Sequence, residues 1–337
     1  MKQIAERRSS RGYTIILAIV VILAAALSAG WYYVAGELDK VVTQALARAE
    51  KGGATVTCAN RQTFGYPFRI GIHCDAVAVE TLSKDVRMTA GTLRTAAQIY
   101  QPNKVVAELD GPAFLEAGDL PPLDLRWSLG QASATFWTQG ADHLSFAFDN
   151  PEVALAQPAA GRAPLAAAVR FEAHARRREG DLDIALTDRG VKMLSPELAS
   201  LPAFDASADL SVSGAADWLN GRVAGRTPAE VLAGRTVTLR ALKLESGTAI
   251  AEVSGPISVG ADGEISGDLK LAVADAQRIA ALVAGVAPEL AGVAGSVASA
   301  ITFIGRPEDG RTVIALTIRD GEVAAGVIPL GSIPPLR

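Results

Sequence analysis

The chain has 337 residues, 49% of them hydrophobic and 20% charged, enough apolar content to bury a large core and too much for intrinsic disorder. Aromatic residues make up only 5%, so a core built from Ala, Leu, Val and Ile is expected, with smooth apolar surfaces. The formal charge of -4 conceals an asymmetry: Lys2, Arg7, Arg8 and Arg11 stand against Glu6 near the start, a net of +3, which leaves -7 on the remainder. An acidic body argues against a nucleic-acid partner, whose phosphates require a basic footprint.

From Gly12 to Gly36 there is no Asp, Glu, Lys or Arg, and the run from Tyr13 through Ile22 to Val34 is apolar around its whole circumference. About 20 such residues at 1.5 Å rise cross the ~30 Å hydrocarbon layer. Trp31, Tyr32 and Tyr33 gather at one end, as rings do at a headgroup boundary, while the basic residues flank the other and hold it in the cytoplasm. Small residues at Ala24 to Ala26 and Ala29 would also suit a cleaved leader, but the apolar run exceeds the roughly 7–15 residues of that class. Leu38, Val41, Val42, Ala45 and Leu46 recur at three and four, so the helix should continue as a stalk. The expected organisation is a basic cytoplasmic tail over 1–12, a transmembrane helix over 13–35, a helical stalk over 36–52 and a periplasmic β-rich domain over 53–337.

Cys58 and Cys74 are the only cysteines, and an even count in an oxidising compartment makes a structural disulfide the default. Their spacing matches neither a CxxC redox motif nor a zinc knuckle.

Past the stalk, apolar residues alternate with period two: Leu123-Leu125-Trp127-Leu129, Leu144-Phe146-Phe148, Val169-Phe171, Leu182-Ile184-Leu186, Leu242-Leu244, Leu269-Leu271-Val273 and Ile314-Leu316-Ile318. Reversals are expected at Asp110-Gly111, Glu179-Gly180, Asp262-Gly263, Asp309-Gly310 and Asp320-Gly321. Thr227-Pro228-Ala229-Glu230 reads as a capped helix start, and Asp275 opens a longer helix with Ile279, Leu282, Val283, Val286 and Leu290 on one stripe. The fold class is therefore mainly β (α+β): an N-terminal transmembrane helix, then a long antiparallel, one-faced sheet with one or two short covering helices and a hinge near Pro158 to Pro164. If the sheet's apolar face is not wholly covered, the uncovered part forms a groove suited to acyl chains. The stripe from Ile279 to Leu290 is the expected lining, with Leu282 the position where a charge should expel a lipid without unfolding the domain.

No GxSxG elbow, phosphate loop, HExxH or GxGxxG is present, and His73, His143 and His174 lie on separate strands. The basic run Arg176-Arg177-Arg178 before Glu179-Gly180 is read as a solvated hairpin tip, with contact to lipid headgroups as its functional alternative. No cofactor and no metal are expected, and no enzyme.

Thr57-Cys58-Ala59-Asn60-Arg61, Gly65-Tyr66-Pro67-Phe68-Arg69-Ile70 and Cys74-Asp75 resemble the opening of the bacterial domain-of-unknown-function family 2125. Leu120-Pro121-Pro122-Leu123 and the closing Gly326-Val327-Ile328-Pro329-Leu330-Gly331-Ser332-Ile333-Pro334-Pro335-Leu336 resemble it too. That family has no assigned activity, so the resemblance supplies no site residues. An anchor followed by one-faced strands is also similar, at the level of architecture, to the AsmA-like envelope proteins, for which lipid handling is the implied theme. The leading expectation is a non-enzymatic envelope protein whose β domain binds lipid or an apolar partner surface; the alternative is an assembly adaptor using a free sheet edge.

Overall fold

The computed structural model describes residues 11–81, 86–118, 120–138, 140–157, 161–225 and 227–336. Lys2, Arg7 and Arg8 of the basic tail lie outside them, as does Pro158. Helix α1 (Arg11–Lys51) is one uninterrupted helix, long and apolar enough in its first half to cross a membrane. Its second half is no free stalk. The Arg61 guanidinium pairs with Asp39 at 2.8 Å and donates to Thr43 Oγ1 at 2.9 Å, holding the helix against the first strands. Trp31 is buried, and its Nε1 donates to Arg69 O at 2.7 Å, while Ser28 Oγ and Tyr66 OH lie 2.8 Å apart. The Gly65-Tyr66-Pro67-Phe68 turn thus docks on the helix at the level of its Trp-Tyr-Tyr run.

The strands are dealt alternately to two layers. The first layer takes β1 (Ala54–Cys58); the second takes β2 (Gln62–Phe64) and β3 (Arg69–Cys74). Then β4 (Val77–Thr81) and β5 (Val86–Ala90) join the first, β6 (Leu93–Gln98) and β7 (Gln101–Leu109) the second, and β8 (Ala113–Ala117) and β9 (Leu123–Arg126) the first again. The pattern continues with β10 (Leu129–Trp137) and β11 (Gly140–Asp149) in the second, β12 (Glu152–Gln157) and β13 (Gly161–Ala167) in the first, and β14 (Arg170–Arg178) in the second. Within the first layer β1, β4, β5, β8, β9, β12 and β13 are successive antiparallel neighbours. Within the second the order is β2, β3, β6, β7, β10, β11, β14.

Each crossing between layers takes only two or three residues: Ala59-Asn60-Arg61, Asp75-Ala76, Gly91-Thr92, Asp110-Gly111-Pro112, Trp127-Ser128, Asn150-Pro151 and Ala168-Val169. Backbone hydrogen bonds run through these crossings, from Gly91 N to Asp110 O (3.1 Å), Ser128 N to Asp149 O (2.9 Å), Asn150 N to Val169 O (2.9 Å) and Val169 N to Arg189 O (2.8 Å). The two layers are therefore one antiparallel sheet folded along a crease, as turn-forming Gly, Pro, Asn and Asp at the bends allow. At the start of the crease the Cys58–Cys74 disulfide, with Cα atoms 5.2 Å apart, ties β1 of the first layer to β3 of the second.

Strand β15 (Asp181–Met193) ends the alternation: it pairs with β14 along most of its length and with β13 through Met193 and Lys192. Beyond it only the second layer grows, through β16 (Phe204–Val212), β17 (Thr236–Ser246), β18 (Ala249–Val259), β19 (Ile265–Ala274), β20 (Arg306–Glu308), β21 (Arg311–Arg319), β22 (Glu322–Ala325) and β23 (Ile328–Ser332). Its apolar face is covered there by helices. Helix α2 (Pro228–Leu232) is capped by Thr227 Oγ1, and α3 (Ala276–Val286) by the Asp275 carboxylate. Helix α4 (Ala291–Ile304), which the strand and cap signals did not reveal, packs beside α3 on a core of Leu271, Ile279, Ile301 and Ile314.

Three sequence expectations change. Leu123 to Leu129 is two strands, β9 and β10, in different layers, with Trp127-Ser128 at the crease. Asp110-Gly111 is a crossing between layers, whereas Glu179-Gly180, Asp262-Gly263, Asp309-Gly310 and Asp320-Gly321 are hairpin reversals. Of the hinge placed near Pro158 to Pro164, residues 158–160 lie outside the described residues, and the rest belongs to β13, with Pro164 in the ladder opposite Ala154.

Candidate functional site: an apolar trough in the folded sheet

Paired residues in an antiparallel ladder share a face, so the register identifies what points into the fold. One row of the second layer runs Gly130, Phe148, Phe171, Asp188, Ala206, Leu244. The next row, farther from the crease, runs Phe146, Ala173, Leu186, Ala208, Leu242. The first layer opposes them with Leu125, Val153 and Ala166. The outward rows of the second layer carry Arg94, Glu108, Gln131, Glu172 and His174 instead. Both layers are one-faced, with apolar sides turned towards each other.

The wedge between them is not filled. A cavity of about 310 Å³ runs along the crease, lined by Leu125, Trp127, Phe148, Val153, Phe171 and Asp188. Trp127 is fixed there: its Nε1 donates to Leu109 O at 2.7 Å, and its ring sits against Phe148 with centroids 5.0 Å apart. Gly130 makes room for it, since a Cβ at that position would lie 2.6 Å from the indole nitrogen. Away from the crease the face is open. Phe146 is 43% exposed, Leu186 37% and Leu242 46%, large apolar side chains in one continuous row. Such a row on a folded protein marks a binding surface more often than chance.

Three charged residues interrupt this apolar lining: Arg126 and Glu152, which are paired with Asp124 and Arg162 respectively, and Asp188. Asp188 Oδ1 is buried and accepts no hydrogen bond. Desolvation pushes its carboxyl above the ordinary value, and the nearby Asp205 carboxylate adds to the shift. Glu264 Oε2, outside the cavity lining, is likewise buried without a hydrogen bond, whereas the buried Asp124 and Asp183 are matched. Asp124 accepts from Arg126 at 2.9 and 3.0 Å and pairs with Arg162, which holds it below the ordinary value. Burial pushes Asp183 up, but hydrogen bonds from Arg240 and Arg176 outweigh it and hold the group low.

The stripe read from Ile279 to Leu290 is divided by the structure. Ile279, Val283 and Leu290 line a second apolar cavity of about 200 Å³ between the helices and the sheet. Val286 is 46% exposed. Leu282 is 1% exposed and packs with Val191 and Phe204, a core residue where a charge is expected to unfold the domain. That corrects its placement as a position where the fold would tolerate charge.

Strand geometry also splits the three arginines of β14. Arg176 lies on the outer face and is bonded to Asp183 at 3.2 Å; Arg178 is exposed at the hairpin end. Arg177 lies on the inner face opposite Leu182, half-buried, 3.7 Å from Asp217 across the turn Ala216–Asn220. They do not form one headgroup cluster. The histidines behave oppositely: His143 and His174, far apart in sequence, meet on the outer face, with Ser145 Oγ 2.9 Å from His174 Nδ1 and 3.2 Å from His143 Nε2. His73 stands apart, beside Asp75 at 3.1 Å. Among the described residues there is no group of three or more His, Cys, Asp or Glu side chains placed to hold a metal.

Asp188 and the crease cavity were not singled out from the sequence, although a signal was present. Continuing Leu182-Ile184-Leu186 by one more step of two reaches Asp188, which places a carboxylate on an apolar face.

No curated protein matches the chain. A family model described as an uncharacterized protein conserved in bacteria (DUF2125) matches residues 31–334, which takes in the docking tryptophan, the disulfide, the whole folded sheet and the closing strands. The protein belongs to that family.

Proposed function

We propose that this protein is anchored in a bacterial inner membrane by α1, faces the periplasm, and holds a lipid acyl chain in the trough of its folded sheet without catalysing a reaction. The observation that carries this reading is the row Phe146, Leu186, Leu242, left exposed beside an unfilled apolar cavity at the crease. An acyl chain gains about 0.8 kcal/mol per CH₂ buried, so about ten buried methylenes supply the roughly 8 kcal/mol of micromolar retention. The docking of Trp31 and Tyr66 supports placing the first strands at the headgroup boundary, where a lipid would enter. Arginine pairs at Asp110, Asp124 and Asp183 commit the carboxylates around the fold to structural work, which favours binding over catalysis. The adaptor alternative needs a long free edge. Strand β2 has three residues, and β23 has five and carries Pro329, so both are poor templates for strand addition.

The test is photolabelling of the full chain in lipid bilayers with a diazirine-bearing phospholipid. Labels on β11, β15 and β17, at Phe146, Leu186 and Leu242, are expected. Labels confined to residues 12–36 would show only annular lipid and overturn the proposal.

A further inference from the structure

The crease cavity has a chemical polarity that an acyl chain alone does not use. Three aromatic residues and two acidic ones line it: Trp127 over Gly130, then Phe148, Phe171 and Asp188 in consecutive positions of one cross-strand row, and Glu152 of the first layer, which is paired with Arg162. The Trp127 and Phe148 centroids are 5.0 Å apart, and those of Phe148 and Phe171 6.5 Å. The Asp188 Oδ1 is buried and unbonded. The one guanidinium along the cavity, that of Arg126, is committed to Asp124 through both Nε and Nη2.

We propose that the crease cavity binds an organic ammonium group, with Asp188 as its counter-ion and Trp127, Phe148 and Phe171 as the aromatic wall. This rests on the trough reading and names the polar end of its occupant. An aromatic wall attracts a cation through the ring quadrupoles, and desolvation strengthens the attraction. A buried carboxylate oxygen without a partner is costly, and an organic ammonium offsets that cost by supplying the opposite charge, whether or not it carries an N–H to donate. A carboxylate or phosphate head would instead meet a like charge in a cavity with no free cation among its lining residues. The geometry also orients the ligand: the ammonium lies at the crease and the hydrocarbon runs out over Phe146, Leu186 and Leu242.

The test compares a tetradecyltrimethylammonium probe with myristate, equal in chain length and opposite in charge, and with tetramethylammonium alone, on the full chain in bilayer discs below micellar concentrations. The expected result is at least tenfold tighter binding of the alkylammonium than of myristate. In Asp188→Asn that preference is lost, with myristate binding unchanged or stronger. Asp188→Asn keeps the shape of the side chain, and Phe171→Leu, which removes one ring from the wall, should weaken the ammonium probe alone. Tetramethylammonium bound in an Asp188-dependent way would identify a free small cation as the natural occupant, and its failure to bind would identify an amphiphile; either supports the site. Equal binding of the two long-chain probes, or a preference that survives Asp188→Asn, overturns the ammonium site while leaving the trough standing. Binding of neither long-chain probe overturns the trough itself.

Discussion

Two leucines placed over the same apolar face should respond oppositely to the same substitution. Leu282 on α3 is 1% exposed, enclosed by Val191 and Phe204 with Leu201, Met193 and Leu244 around them. Removing its side chain costs about 3–5 kcal/mol in transfer and cavity energy, and a carboxylate placed there without a partner adds several more. Together these approach the roughly 5–15 kcal/mol by which a domain is stable at all. Leu186 on β15 is 37% exposed, so Leu186→Asp forfeits about 1–2 kcal/mol of burial and leaves the new carboxylate in reach of water. The expected outcome is that Leu282→Asp yields no cooperative unfolding transition. Leu186→Asp should melt within several degrees of the wild type but lose ten- to thirtyfold in phospholipid photolabelling, the equivalent of about 1.4–2 kcal/mol. Thermal unfolding followed by intrinsic tryptophan fluorescence, read with the labelling yield, checks both halves. A folded Leu282→Asp, or an unfolded Leu186→Asp, would refute the assignment of closed and open stretches.

Two further outcomes concern the fold. Replacing Cys58 and Cys74 by serine opens a loop of sequence separation 16 and should cost about 3 kcal/mol in denaturant unfolding, with no loss under conditions where the wild type is already reduced. Asp124→Asn should cost about 1–3 kcal/mol at neutral pH, because it leaves Arg126 and Arg162 short of their carboxylate. Since the folded state holds Asp124 below the ordinary 3.8, its contribution is complete above that value and disappears as the pH falls through the depressed one. The gap between variant and wild type should therefore close on acidification, and a gap that widens would refute the ion-pair account.

Much of the secondary structure is legible in the sequence because period-two alternation is a direct consequence of the pleat, as Leu144-Phe146-Phe148 and Leu182-Ile184-Leu186 show. The anchor, the disulfide and the capped starts at Thr227 and Asp275 are legible for equally local reasons. The crease is not. The apolar period carries on in the sequence through Leu123-Leu125-Trp127-Leu129, but at the bend the inward parity changes: Leu125 and Trp127 line the crease, whereas in the next layer Gly130 points inward and Leu129 outward opposite Asp149. Helix α4 is hidden for a different reason: its run of Ala, Gly, Ser, Val and Ile carries no charge to mark a polar face, and Pro288 separates it from the stripe of α3. The arginine run misleads because three adjacent residues of one strand cannot share a face, which only the strand assignment of β14 reveals.

The position of β15 explains why the trough has two ends. Along β3, β6, β7, β10, β11, β14 and β15 the apolar face is opposed by the first layer, a length of about 30 Å at the usual spacing of about 4.8 Å between strands. That is long enough for an acyl chain laid across the strands. At the near end the Cys58–Cys74 link ties the two layers together, and Trp31 of α1 donates to Arg69 O on β3. At the far end the first layer stops at the contact of β13 with Met193, and Leu282 drops from α3 onto Val191 and Phe204 at that same point. Leu282 thus packs on Val191, which together with Asp188 belongs to the lining of the crease cavity. On the proposed reading, the Asp188 carboxylate in this apolar lining sets where a ligand's polar end would stop, and the exposed row of Phe146, Leu186 and Leu242 sets where its hydrocarbon would lie.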